Sequence, residues 1–114
     1  MRVPCAYQGG KQRVAAQIVD LLLKAAPEPN SRFYDLCCGS AAVSIELVNR
    51  GVDPSRIWML DISSWGSFWS AIGAGTFNMD VFDQFLSALP SDKRDFKAHI
   101  SWLSALPVGD HEIE

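Results

Sequence analysis

"FYDLCCGSAAVSIEL", residues 33 to 47, changes its hydrophobic period at a glycine. Phe33-Tyr34-Asp35-Leu36 is aromatic and of strand length, and Cys37 to Ser40 reads as a turn. Beyond it Ala42, Val43, Ile45, Leu47 and Val48 keep an apolar stripe at helical spacing. The stretch predicts a buried strand, a glycine turn and a helix in direct succession.

The next elements extend that reading. Gly51 stands where a helix C-terminus favours glycine, and Asp53-Pro54-Ser55 is turn chemistry. Ile57-Trp58-Met59-Leu60, ahead of Asp61, is a second apolar run of strand length. Strand, helix and strand within about thirty residues make a βαβ unit, whose strands run parallel. An α/β fold follows. Two parallel strands leave two open edges, so helices wrapping the sheet, or another chain completing it, are expected.

Upstream, KQRVAAQIVDLLLKAA puts Val14, Ile18, Leu21, Leu22 and Ala25 on one helical face, and Pro27 and Pro29 stop the helix. Downstream, Trp65, Phe68, Trp69 and Ile72 share a face, with Gly66, Gly73 and Gly75 weakening or ending the helix. Asn78 or Asp80 is a candidate cap for a helix through Val81, Phe82, Phe85, Leu86 and Leu89, closed by Pro90. Ser91 or Asp92 is a candidate cap for another through Phe96, Ile100 and Leu103, closed by Pro107. The four tryptophans, Trp58, Trp65, Trp69 and Trp102, are expected mainly in the core.

With 114 residues, 48% of them hydrophobic and 20% charged, the chain is expected to be one globular domain, 1–114. Within it lie a motif-bearing part (1–65), a helical part (66–107) and a frayed tail (108–114). A net charge of -3 supplies no basic footprint for phosphate neutralisation, so any DNA contact is expected to be indirect. No stretch approaches the roughly 18 to 20 apolar residues of a membrane span, and the first residues lack a signal-peptide core; a cytoplasmic location is expected. Three cysteines cannot all pair, and the neighbours Cys37 and Cys38 lack zinc-site spacing, so reduced, packed thiols and no metal are expected.

Ligands of open α/β sheets bind beyond the carboxyl ends of the strands. Asp35, Gly39 and Asp61 would line one such crevice, with Gly39 letting a ligand approach the backbone at a helix N-terminus. Asp61 sits at a separation that suits an acidic residue gripping ribose hydroxyls, or it caps the following helix. Ser40 is placed either to cap the helix or to touch a cofactor.

The segment Tyr7-Gln8-Gly9-Gly10-Lys11, then a helix, then the glycine turn, then Met59-Leu60-Asp61, resembles the opening half of the Dam-type DNA adenine-N6 methyltransferases of phages and restriction-modification systems. The match covers roughly residues 5 to 65 and carries three motifs in order. The resemblance implies a truncated Rossmann-like methyltransferase unit that binds S-adenosylmethionine. By it, Tyr7, Gly9, Gly10 and Lys11 form the first binding segment, with Lys11 on the methionine carboxylate as a flexible point charge. Asp35 and Gly39 would sit near the amino acid and ribose, with Ser40 in the same turn, and Asp61 would hold the ribose hydroxyls.

Two departures stand out. Ala41 occupies a position where the family has a second glycine, and the family's catalytic Asp/Asn-Pro-Pro-Tyr/Phe segment has no counterpart, because these residues contain no Pro-Pro. A base must be flipped into a pocket for this chemistry, so no catalytic residue is assigned and methyl transfer by this chain alone is not expected. A second reading is a non-enzymatic, phage-type binding protein that inhibits a host nuclease or defence protein on a degenerate scaffold. A third is an enzyme acting on S-adenosylmethionine itself, with Asp35, Glu46 or Asp61 as general base.

Overall fold

The computed structural model describes residues 1–4, 9–88 and 94–105. Two compact units divide the chain, Met1–Trp69 and Ser70–Glu114. The first unit is built on two parallel strands, β1 (Phe33–Asp35) and β2 (Ile57–Met59), paired Phe33 to Ile57, Tyr34 to Trp58 and Asp35 to Met59. Helix α1 (Ala15–Ala25) precedes them, and α2 (Ala42–Asn49) makes the crossover. The chain is thus α/β, as the period change at Gly39 predicted.

The turns follow from their residues. Gly51, at φ 90°, ends α2: its N–H reaches the Val48 carbonyl (2.9 Å), and the Val52 N–H reaches that of Leu47 (3.0 Å). This pair of bonds satisfies carbonyls that a helix end leaves open, and it brings Val52 onto Leu47. Asp53 then accepts from the Ser55 N–H (2.8 Å) in a 3-10 turn, Pro54–Arg56, that leads into β2. The Arg56 guanidinium donates twice to the Ser31 carbonyl, at 2.9 and 2.7 Å, and so ties the entry of β2 to that of β1. At the start of α1 no side chain caps the helix; at its end Ala26 is extended ahead of Pro27, as a residue before proline prefers.

Val19, Phe33, Leu47 and Val52 form the core, joined by Ala26, Val43 and Ile57. They come from α1, one face of the sheet, α2 and the turns that follow the two helices. This corrects two expectations. The buried side of α1 runs through Ala15 and Val19, whereas Leu21 is 69% exposed. Three successive leucines, 21 to 23, make the apolar face ambiguous by period alone, and packing against Phe33 and Leu47 selects the Val19 side. The strand is also not buried throughout: Phe33 is, but Tyr34 and Leu36 are 59% and 65% exposed, because helices cover one face only. On the open face Tyr34 stacks on Trp58 (5.5 Å between centroids), and the Arg32 guanidinium lies 5.0 Å over the Trp58 ring.

The four tryptophans also depart from expectation: Trp58, on the open sheet face, is exposed, and Trp65, Trp69 and Trp102 are half-buried. Helix α3 (Ser64–Ala74) runs through Gly66 and Gly73 and ends at Gly75, φ 69°. In the second unit, Asn78 caps α4 (Met79–Ser87) by accepting from the Val81 N–H at 3.1 Å. Helix α5 (Phe96–Ala105) is capped by Asp95, which accepts from the Ala98 N–H at 3.0 Å. The candidate caps Ser91 and Asp92, the stops Leu89, Pro90 and Pro107, and the tail 108–114 lie outside the described residues. Among the described residues no helix is long and apolar enough to cross a membrane.

Leu47 is 1% exposed at the centre of this core. Leu47→Ala is expected to cost about 2 to 5 kcal/mol, the range for emptying a well-packed leucine site. Urea unfolding followed by far-ultraviolet circular dichroism measures it, and a loss below about 1 kcal/mol would show that Leu47 is not the keystone of this core.

Candidate functional site

Pairing does not stop at the last strand residues. The Leu60 N–H donates to the Asp35 carbonyl (2.9 Å) and the Cys38 N–H donates to that of Leu60 (3.0 Å), so the ladder runs on into the glycine turn. That extension brings Gly39 against Asp61, and the Gly39 N–H donates to Asp61 Oδ2 at 2.8 Å. Asp35, at the end of β1, accepts from the Ser44 hydroxyl (2.8 Å) of the facing turn of α2. Three of the expected residues, Asp35, Gly39 and Asp61, therefore gather at the carboxyl end of the sheet.

The turn itself is strained. Ala41 N–H closes it onto the Cys38 carbonyl at 2.7 Å; Gly39 has φ 50°, and Ala41, the residue at the mouth of α2, has φ 62°. Left-handed backbone suits glycine and costs an alanine about 1 to 2 kcal/mol. Ala41 thus keeps a conformation that ordinarily favours glycine. Between them Ser40 is 1% exposed, and its hydroxyl has no hydrogen-bond partner. Ser40 does not cap α2, whose N-terminus has no side-chain cap.

Both oxygens of Asp61 are engaged. Oδ1 accepts from the Ser63 N–H (2.8 Å) and from the Ser63 hydroxyl; Oδ2 takes Gly39. The Ser63 hydroxyl, then its N–H, then the Gly39 N–H hold the Asp61 carboxyl below its ordinary 3.8. Of the four lone-pair sites of a carboxylate, one remains for a further donor. Asp61 is therefore an anchor for the loop into α3 rather than the cap of that helix, since Ser63 Oγ accepts from the Trp65 N–H at 3.3 Å. Within the turn, Cys38 is a buried free thiol and Cys37 an exposed one, so only one of the pair is packed. Burial foremost, then the Asp35 and Asp61 carboxylates, push the Cys38 thiol up to about 11. It stays protonated and poorly nucleophilic at neutral pH.

The segment expected to open the cofactor site, residues 7–11, is only partly described. Tyr7 lies outside the described residues. Gly9 has φ 86°, a conformation that favours glycine, and a side chain at Gly10 would collide with that of Gln12. The exposed Lys11 ammonium donates to the Gly9 carbonyl rather than to Asp35, Gly39 or Asp61. Glu46 is occupied by Arg50 at 2.9 Å, which also binds Asp20 at 2.7 Å, and this clasp joins α2 to α1. Among the described residues no cluster of His, Cys, Asp and Glu is arranged to hold a metal.

Two features had no forewarning in the residue pattern. Trp69 donates its indole N–H to the Gly39 carbonyl at 2.7 Å, and Gly66 packs so closely on the Asp61 carbonyl that any Cβ there would overlap it. Trp69 also lines, with Ala41, Ser44, Ile45, Ile57 and Met59, an apolar cleft of about 190 Å³. The helical spacing of Trp65, Phe68 and Trp69 marked a packing face but not its target. Compared with protein-family models, curated proteins and solved structures, the chain matches none.

Two outcomes follow. Ala41→Gly relieves the left-handed strain but adds unfolded-chain entropy, about 0.5 to 1 kcal/mol, and loses a buried methyl worth about 0.8 kcal/mol. These cancel within about 1 kcal/mol, whereas Ala42→Gly, with no strain to relieve, costs about 1 to 2 kcal/mol. Equal losses in urea unfolding would refute the strain at Ala41. For Asp61, a lowered folded pKa means that its bonds contribute fully above the ordinary 3.8 and are lost as pH falls below it. The stability gap between wild type and Asp61→Asn is therefore expected to be widest near neutral pH and to shrink below that value. A gap constant across urea titrations from neutral pH to pH 3 would contradict the assignment.

Proposed function

We propose that the chain is the S-adenosylmethionine-binding portion of a DNA adenine-N6 methyltransferase-like protein, a truncated Rossmann-like unit that does not transfer methyl groups by itself. The observation that carries this reading is the strained turn 39–41 beside Asp61, with a buried hydroxyl that has no partner among the described residues. Strained backbone persists where surroundings over-determine it, and it concentrates at ligand-binding turns. A cofactor with hydroxyl and carboxylate groups suits the residues present. Asp61 keeps one acceptor site for a ribose hydroxyl, Ser40 offers a hydroxyl, and the α2 N-terminus favours negative charge.

Lys11, held by one exposed bond, is free to turn to a carboxylate, with Tyr7, Gly9 and Gly10 in the same segment. S-adenosylmethionine, when bound, supplies an electrophilic methyl group. The chain's residues bind and orient it, and another polypeptide segment must present the base, because no Pro-Pro catalytic segment occurs here. DNA is reached through that segment.

A second reading draws on the open sheet face. Parallel sheets are usually covered on both sides, yet Tyr34, Leu36, Trp58 and Leu60 are exposed. A non-enzymatic binding protein, of the kind a phage directs at a host nuclease or defence protein, uses such a face without needing the turn.

Calorimetric titration separates the two. The cofactor reading expects one-to-one binding of S-adenosylmethionine, weakened about tenfold or more by Lys11→Ala and by Asp61→Ala, as for lost charge-assisted bonds. Absence of binding at about 1 mM ligand leaves the binding-protein reading. Cofactor consumed without any acceptor would instead indicate an enzyme acting on S-adenosylmethionine itself.

A further inference from the structure

Helix α3 is clamped to both strand ends. Its first turn is pinned to Asp61 through Ser63, and Gly66 sits against the Asp61 carbonyl where no side chain fits. One turn further on, Trp69 closes onto the other strand end, its indole N–H on the Gly39 carbonyl at 2.7 Å. Phe68 buttresses the indole edge-on at 4.9 Å, and Trp65 stands edge-on to Phe68 at 5.7 Å. With Asp61 on its N–H and Trp69 on one lone pair of its carbonyl, Gly39 has no backbone donor left for a ligand, and the indole stands at its carbonyl. The closed turn nevertheless buries the Ser40 hydroxyl without a partner, a cost that an opened turn does not bear.

We propose that α3 is a latch on the glycine turn, with Trp69 as its bolt: the turn receives a ligand when the indole leaves the Gly39 carbonyl. Opening releases one backbone carbonyl, uncovers Ser40 and frees the approach to the remaining acceptor site of Asp61. The apparent affinity of any ligand at this turn is then its intrinsic affinity reduced by the fraction of open molecules. The identity of the ligand as S-adenosylmethionine rests on the reading above; the latch itself does not.

Cys38 precedes Gly39 in the turn and is buried, with a thiol pushed up to about 11, so its labelling reads opening of the turn without any ligand. In a Cys5→Ser, Cys37→Ser background, Cys38 is labelled with an aromatic disulfide reagent at mildly alkaline pH. Trp69→Phe, which keeps a ring and removes the N–H donor, is expected to raise the labelling rate about fivefold, as for one lost hydrogen bond. The rate should stay flat in urea below the unfolding transition, which distinguishes local opening from global unfolding.

An unchanged rate, or one that rises only with the urea dependence of global unfolding, overturns the latch. Titration with S-adenosylmethionine then separates the two ideas. Tighter binding by Trp69→Phe, by about the same factor, supports both. Equal affinity in both proteins overturns the coupling of latch to ligand. Faster labelling with no binding in either protein upholds the latch and defeats the cofactor reading.

Discussion

The site depends on one hydrogen bond, from the Gly39 N–H to the Asp61 carboxylate. It works only because two three-residue strands pair in parallel and because that pairing continues through Leu60 into Cys38. Without the continuation, the glycine turn and the second strand end would be separate loops. With it, a residue at the start of one helix and a residue ahead of the next are fixed side by side. The Asp61 carboxyl is held below its ordinary value foremost by the Ser63 hydroxyl and N–H, and the Gly39 amide that positions the turn adds to them.

Size limits what can be built around that bond. One layer of helices covers one face of the sheet, and the core reduces to Val19, Phe33, Leu47 and Val52 with their immediate neighbours. A core this small gains little from burial alone. Local devices therefore matter: the double bond pattern at Gly51, the Arg56 clamp on Ser31, and the Arg50 clasp between α1 and α2. Each ties an element boundary, where fraying would begin. The opposite face of the sheet keeps Tyr34, Trp58 and Arg32 in a stacked cluster that shields part of its own apolar surface.

The α/β class, the crossover, and the meeting of Asp35, Gly39 and Asp61 were legible because each rests on a local signal. Those signals are a change of period, a glycine after a short apolar run, and an acidic residue ending the next run. Burial was less legible. Leu21 and Val19 are indistinguishable by hydrophobicity, and only the position of Phe33 decides between them. Tyr34 and Leu36 look as apolar as Phe33, but period 2 sends them to the face that no helix covers. Asp95 was missed as the cap of α5 because Ser91 and Asp92 are equally good candidates by residue type. Trp69 on Gly39 was beyond reach altogether, since it joins residues thirty positions apart through the angle at which α3 leaves Asp61.

Ala41 makes the clearest case that the turn is held from outside rather than chosen by its own residues. Alanine prefers right-handed backbone, yet here it accepts φ 62° with its N–H on the Cys38 carbonyl and its own carbonyl on the Ile45 N–H at 2.8 Å. Both bonds are needed, one to close the turn and one to start α2, so relaxing the dihedral would break the junction between strand and helix. The Trp69 bond adds a third restraint on the same few atoms. A turn fixed by strand, helix and indole at once holds Ser40 in place, with its hydroxyl buried and without a partner among the described residues. Besides the Asp61 carboxylate on the Gly39 N–H, the indole is the restraint that comes from neither the β1–β2 ladder nor α2, and because its donor lies on α3 the opening is assigned to that helix.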